Sequence, residues 1–211
     1  MFSFFKSNKN KQTSVKSTYY IRECLIHNVS DLLSVLNPKI EDNAVIGESN
    51  SEVKLKNLSL IGLTQKEIIA EMDHPVYIFD NSETIKGHKV MFYKEDVEFY
   101  RFLIQFHFID DNFFFASNKV TSSGMLTNTD KEKIVKQLAN KYLSNTDIND
   151  NYLLSLTDSN NSILSTVDDV YYYVNYLSGA EIKNKLIKRL SANTDMGNKD
   201  PDFDDTINKY F

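Results

Sequence analysis

The acid–base and metal-binding potential of this chain rests on four histidines, His27, His74, His88 and His107. None stands four residues from another, H-E-x-x-H and C-x-x-C are absent, and Cys24-Leu-Ile-His27 is a single C-x-x-H with no second ligand pair. No zinc-type ligand set is therefore expected. His107 shortly precedes Asp110 and Asp111, and an imidazole beside a carboxylate is the pairing that general acid–base catalysis uses. The commoner role for a histidine in such a place is a solvated side chain on the polar face of a strand. His74 precedes Pro75 at a helix exit, where an imidazole can cap the last carbonyls. Cys24 lies three residues before His27, and a helix over 19–28 would bring the two together. A lone cysteine is more often a buried, inert thiol.

Other chemistries leave little trace. G-x-S-x-G, G-x-x-x-x-G-K-[ST] and G-x-G-x-x-G do not occur, and with 6 glycines in the chain no phosphate-cradling loop is expected. Asp200-x-Asp202-x-Asp204 opens like a calcium loop, yet Asp205 and Phe211 stand where such a loop needs its Gly and its bidentate Glu. The expectation is no catalytic residue, no metal and no cofactor.

The totals narrow the function further. A net charge of −5 and a pI near 5.4 argue against nucleic acid, whose phosphates call for a basic face, and suit a basic protein partner. The single Cys24 forms no internal disulfide and suits a reducing, cytoplasmic setting. Met1-Phe-Ser-Phe-Phe-Lys6 is too short an apolar run for a secretory leader, and no stretch approaches the length of a transmembrane helix. Phe2, Phe4 and Phe5 beside lysines could touch an anionic membrane surface, but they bury too little for stable insertion. The sequence leaves the oligomeric state open.

The elements that would position these residues are set by capping and periodicity. Residues 1–17 form a mobile basic N-terminus. An α+β domain spans 18–190, divisible into 18–145 and 146–190, and an acidic tail covers 191–211. Ser30 caps a short helix that Pro38 ends, and 41–52 is a loop. Capping boxes at Thr64–Glu67, Thr129–Glu132 and Ser178–Glu181 open three amphipathic helices. Between the first two, Val76–Phe79 and Lys89–Tyr93 read as short strands.

The strongest strand is Glu98–Ile109. Tyr100, Phe102, Ile104, Phe106 and Phe108 point one way; Arg101, Gln105 and His107 point the other. Asp110-Asp111-Asn112 turns the chain, and Phe113–Val120 returns. A second hairpin turns at Asp158–Asn161. In the last strand, Tyr171 and Tyr173 oppose Tyr172 and Tyr176, so one set lies away from the core unless both faces are covered. Hairpin-linked strands with occasional helices make this an α+β fold, an antiparallel sheet with amphipathic helices packed on it.

Gly62-Leu-Thr-Gln-Lys-Glu-Ile-Ile-Ala-Glu-Met-Asp-His-Pro75, with the strands after it to about residue 121, resembles the BamE/SmpA-like αβββ modules. Asp73-His74 stands where that family has Gly-x. The resemblance implies a small sheet-and-helix binding scaffold without catalysis.

The leading expectation is a non-catalytic protein-binding protein, such as a bacterial toxin-neutralising immunity protein or an adaptor. Its recognition residues would be Arg101, Gln105, His107, Tyr171 and Tyr173. The alternatives are a small hydrolase or transferase using His107 with Asp110, and a carrier of a small ligand or lipid between helices and sheet.

Overall fold

A computed structural model describes residues 8–143 and 151–194. The aromatic strand sits deep in an eight-stranded sheet, as β6 (Tyr100–Ile109), between β5 (His88–Val97) and β7 (Asn112–Ser122). Beyond β5 lies the edge strand β4 (Tyr77–Asp80). Beyond β7 come β10 (Tyr172–Leu177), β9 (Ile163–Asp168), β8 (Leu154–Thr157) and finally β1 (Val45–Glu48). Every pairing is antiparallel except β1 with β8, which is parallel and joins two segments more than 100 residues apart. Two short strands, β2 (Lys54–Leu55) and β3 (Leu58–Ser59), form a separate ribbon.

Helices cover both faces of the sheet. On one face α3 (Gln65–Met72), α4 (Asn128–Tyr142) and the β2–β3 ribbon bury Ile68, Val135, Leu55 and Leu58 against Ile104, Phe106, Phe108, Tyr172 and Tyr176. The Tyr100–Phe108 alternation predicts this core, and the helix beginning at Thr64 covers it as expected. The other face carries α1 (Asn8–Glu23), α2 (Val29–Leu36) and α5 (Ala180–Thr194). Leu32, Leu36 and Leu186 pack there with Phe114, Phe115 and Leu177, while Tyr20 and Cys24 pack on Phe92 and Leu103.

A bulge makes this double coverage work. Phe108 pairs with Phe113 but His107 with Phe115, so Phe114 is the extra residue. One inserted residue shifts the side-chain phase of a strand. Phe113 therefore joins the first core, whereas Phe114 and Phe115 both join the second.

The caps differ from expectation in instructive ways. Thr64 and Glu67 form the anticipated box on α3. On α4 the box lies two residues earlier, at Thr127 and Asp130, because Asp130 also accepts from the Tyr100 hydroxyl at 2.8 Å. Asn28 with Asp31, instead of Ser30, caps α2. Ser178 caps nothing; its hydroxyl donates to the Leu60 carbonyl at 3.0 Å. Residues 41–52, read as a loop, contain β1, whose partner strand is remote in sequence.

Gly87 adjoins the β6–β7 turn with φ at +76°, and its carbonyl accepts from the Asp110 amide at 3.1 Å. A Cβ there would stand 2.1 Å from Asp110 Oδ1 and 3.2 Å from its amide nitrogen. Gly87→Ala is expected to destabilise the chain by about 2 kcal/mol, from left-handed strain plus the clash. Urea unfolding of the two chains checks this.

Candidate functional site

The second helical layer decides where the sequence-predicted recognition residues lie. Gln105 and His107 are buried, at 1% and 0% exposure, so the expected polar, solvent-facing strand surface is corrected for these two. The physical reason is that α1, α2 and the segment joining them lie across it.

Gln105 fastens that segment. Its Nε2 donates to the Glu23 carbonyl at 2.7 Å, and its Oε1 accepts from the Leu25 amide at 3.2 Å. A helix end leaves backbone groups without partners, and here one carboxamide serves both a donor and an acceptor. On the neighbouring strand Lys119 reaches the Glu23 carboxylate at 2.5 Å. Its ammonium also stands 3.7 Å from the centre of the Tyr171 ring. Tyr173 lies across from Lys119, half-buried, and burial raises its hydroxyl pKa to about 12, with Glu23 and Asp169 adding to the rise.

His107 belongs to a buried chain. Asn81 Nδ2 lies 3.3 Å from both the Ile26 and His27 carbonyls, so the NH2 end of its amide points there. The same nitrogen is 3.1 Å from His88 Nδ1, which must then accept. His88 accordingly carries its proton on Nε2 and donates to His107 Nδ1, 3.1 Å away. The His107 proton is left on Nε2, which is buried without a hydrogen-bond partner. The Phe114 and Phe115 rings stand 6.1 and 5.3 Å from the His107 ring, centre to centre.

The arrangement resists charge. Burial lowers the His88 pKa to about 4, against an opposing pull from Asp80, and burial drives that of His107 well below the usual histidine range, with the His88 charge adding to the fall. Neither ring nitrogen of His107 meets a carboxylate. Asp110 instead engages the Arg189 guanidinium, so the His107–Asp110 pairing does not form. Cys24 is buried as expected; its thiol donates to the Ile26 carbonyl at 3.3 Å, and burial raises its pKa to about 11. Among the described residues no cluster of three or more His, Cys, Asp or Glu could hold a metal ion, and no helix is long and apolar enough to cross a membrane. The Asp200–Asp204 segment lies outside the described residues.

Arg101 and Tyr171 are exposed, and both lie toward one end of the sheet. There the β5–β6 turn, the end of β7 and the β9–β10 turn stand side by side. Tyr100 pairs with Ser122, and Val120 pairs with Tyr172, which pairs in turn with Asp168. These turns carry Val97, Phe99, Met125, Val170 and Tyr171, at 53%, 74%, 92%, 80% and 43% exposure. With strands about 5 Å apart, the row spans roughly 20 Å. Met125, Val170 and Tyr171 also wall an open cleft of about 650 Å³ that includes Lys131 and Asp168.

Of this set, sequence reasoning found Arg101 and Tyr171 and missed the rest. The available signal was an apolar residue at a hairpin tip, as in Val97-Glu98-Phe99 and Asp168-Asp169-Val170. Glu98 adopts φ of +54° at its tip, a left-handed conformation uncommon for a residue with a side chain.

Comparison with protein-family models, curated proteins and solved structures found no match to this chain.

Because both imidazoles are held neutral in the fold, unfolding takes up protons. Their contribution to stability is complete above the unfolded pKa near 6.5 and falls as pH drops from there toward about 4. The loss approaches about 1.4 kcal/mol per pH unit for each imidazole. Denaturant midpoints from pH 7.5 to 5 should show this slope, and a His88→Gln/His107→Phe chain should flatten it. Carboxylates held low, such as Glu67 and Asp130, add their loss at lower pH.

Proposed function

We propose that this chain is a non-catalytic protein-binding protein, of the toxin-neutralising immunity or adaptor type. It engages a basic partner through the exposed apolar tip of its sheet. The observation that carries this reading is the clustering of Phe99, Met125, Val170 and Tyr171 on three adjacent turns. Contiguous apolar surface of this kind, bordered by charge, is where proteins meet partners, and aromatic side chains on it serve as anchors.

Charge supports the choice of partner. Asp96, Glu98 and Asp169 are exposed among the apolar tips and enter none of the ion pairs of the described residues. Arg101 lies across the strand pair from Asp96, while Lys119 and Lys131 close to these tips are already paired with Glu23 and Asp168. Three carboxylates against one guanidinium favour a partner whose own apolar patch has a basic border, and disfavour an anionic membrane. The αβββ resemblance also implies a binding scaffold, and the free thiol of Cys24 suits a cytoplasmic setting.

Phe99→Asp and Val170→Asp should each weaken partner binding at least about tenfold while leaving the unfolding midpoint near that of the parent, because both side chains lie in solvent. Affinity capture from the native lysate, followed by titration of the recovered protein, checks this. The expected partner carries more Lys and Arg than Asp and Glu, and its association slows as salt rises. Capture that ignores both substitutions would sink the reading.

A further inference from the structure

We propose that the space between α2 and strands β8, β9 and β10 is a binding site for a small uncharged molecule with an apolar body and a hydrogen-bonding edge. The site is a cavity of about 320 Å³, at the small end of ligand pockets. Its walls are apolar, with Val35 from α2 and Phe115, Ile163 and Leu177 from the sheet.

Its floor is polar and aligned. Ser155 pairs with Ser165, Ser165 with Asn175, Asn175 with Ser117, and Ser117 with Gln105. Cross-strand partners share a face, so five consecutive strands set one transverse row of hydroxyls and carboxamides about 5 Å apart. Gln105 at the far end is occupied by the α1–α2 connection. Ser155, Ser165 and Asn175 line the cavity. Asn175 Oδ1 and Ser117 Oγ are buried and without hydrogen-bond partners. Polar groups on a covered sheet face are normally satisfied, and a row left open beside a cavity is what a ligand's polar edge would complete.

The charge of the site sets the ligand class. Its floor has no ionisable side chain; Asp31, Lys39 and Glu41 stand on the α2 side. The Asp31 carboxylate is already engaged by the His27 and Asn28 amides at 2.8 and 3.3 Å. Lys39 and Glu41 carry opposite charges. With charges of both signs at the rim and none on the floor, an ion gains no net attraction there, whereas a neutral amide or hydroxyl would find donors and acceptors in line.

Benzamide is a suitable probe, with benzoate and benzylamine as its charged counterparts. Titrated into the full chain and followed by amide NMR shifts, benzamide should saturate in the millimolar range, with shifts centred on Val35, Ser165 and Asn175. Both charged rings should bind at least about tenfold more weakly. Ser165→Leu fills the cavity from its floor and Val35→Phe from its helical wall. Each folded variant should lose benzamide by the same margin while keeping the parent spectrum elsewhere. Absence of a saturable benzamide shift, or undiminished binding in a folded variant, would overturn the site. Equal binding of a charged ring would overturn its assignment to an uncharged ligand.

Discussion

The two hydrogen bonds of the Gln105 side chain hold this structure in its two-sided form. Without them the end of α1 would leave the Glu23 carbonyl and the Leu25 amide facing a sheet that offers no free backbone. With them, the chain crosses the strands at a fixed height and brings the next segment into place. The Ile26 and His27 carbonyls reach Asn81, and α2 closes over Phe115 and Leu177. The Lys119–Glu23 pair reinforces the same crossing one strand away. A glutamine thus stands at a buried position of the kind that a leucine commonly fills. Replacing it with one would orphan two backbone groups, which is the expensive kind of polar loss.

The same crossing explains what the sequence made legible and what it hid. Alternation over Tyr100–Phe108 identified the first core correctly, because five large apolar residues at period two leave one orientation that buries them. Nothing local marked the second core. Arg101, Gln105 and His107 are polar, and polar residues on a strand read as solvent-facing. Arg101 does stay exposed, but Gln105 and His107 are covered by α1, α2 and their connection, a separation of 80 residues from Leu25 to Gln105. For the tyrosines of the last strand the structure adopts double coverage except at Tyr171, which stays exposed. Tyr172 and Tyr176 fill one core while Tyr173 is half-buried beneath the other layer.

Boundaries set by side-chain competition were the least legible. Thr129 and Ser178 have the right neighbours to cap helices, yet the Tyr100 hydroxyl favours the box at Thr127 and the Leu60 carbonyl claims Ser178. The candidate surfaces were legible in part for a related reason. Tyr171 and Arg101 stood out as residue types, whereas Phe99, Met125 and Val170 matter through position, on three turns that only strand pairing brings together.

The parallel pairing of β1 with β8 imposes an order on the birth of this protein. During synthesis β1 emerges early and must wait for more than 100 further residues before its partner exists. The Val53 amide waits as long for the Asp158 carboxylate. The hairpins β5–β6–β7 can close as they leave the ribosome, since their contacts are local, but the far edge of the sheet cannot. Until β1 docks, β8 is an unprotected edge with open backbone donors and acceptors, the feature through which nascent chains pair with one another. Docking of β1 therefore also covers the edge that β8 presents in its absence.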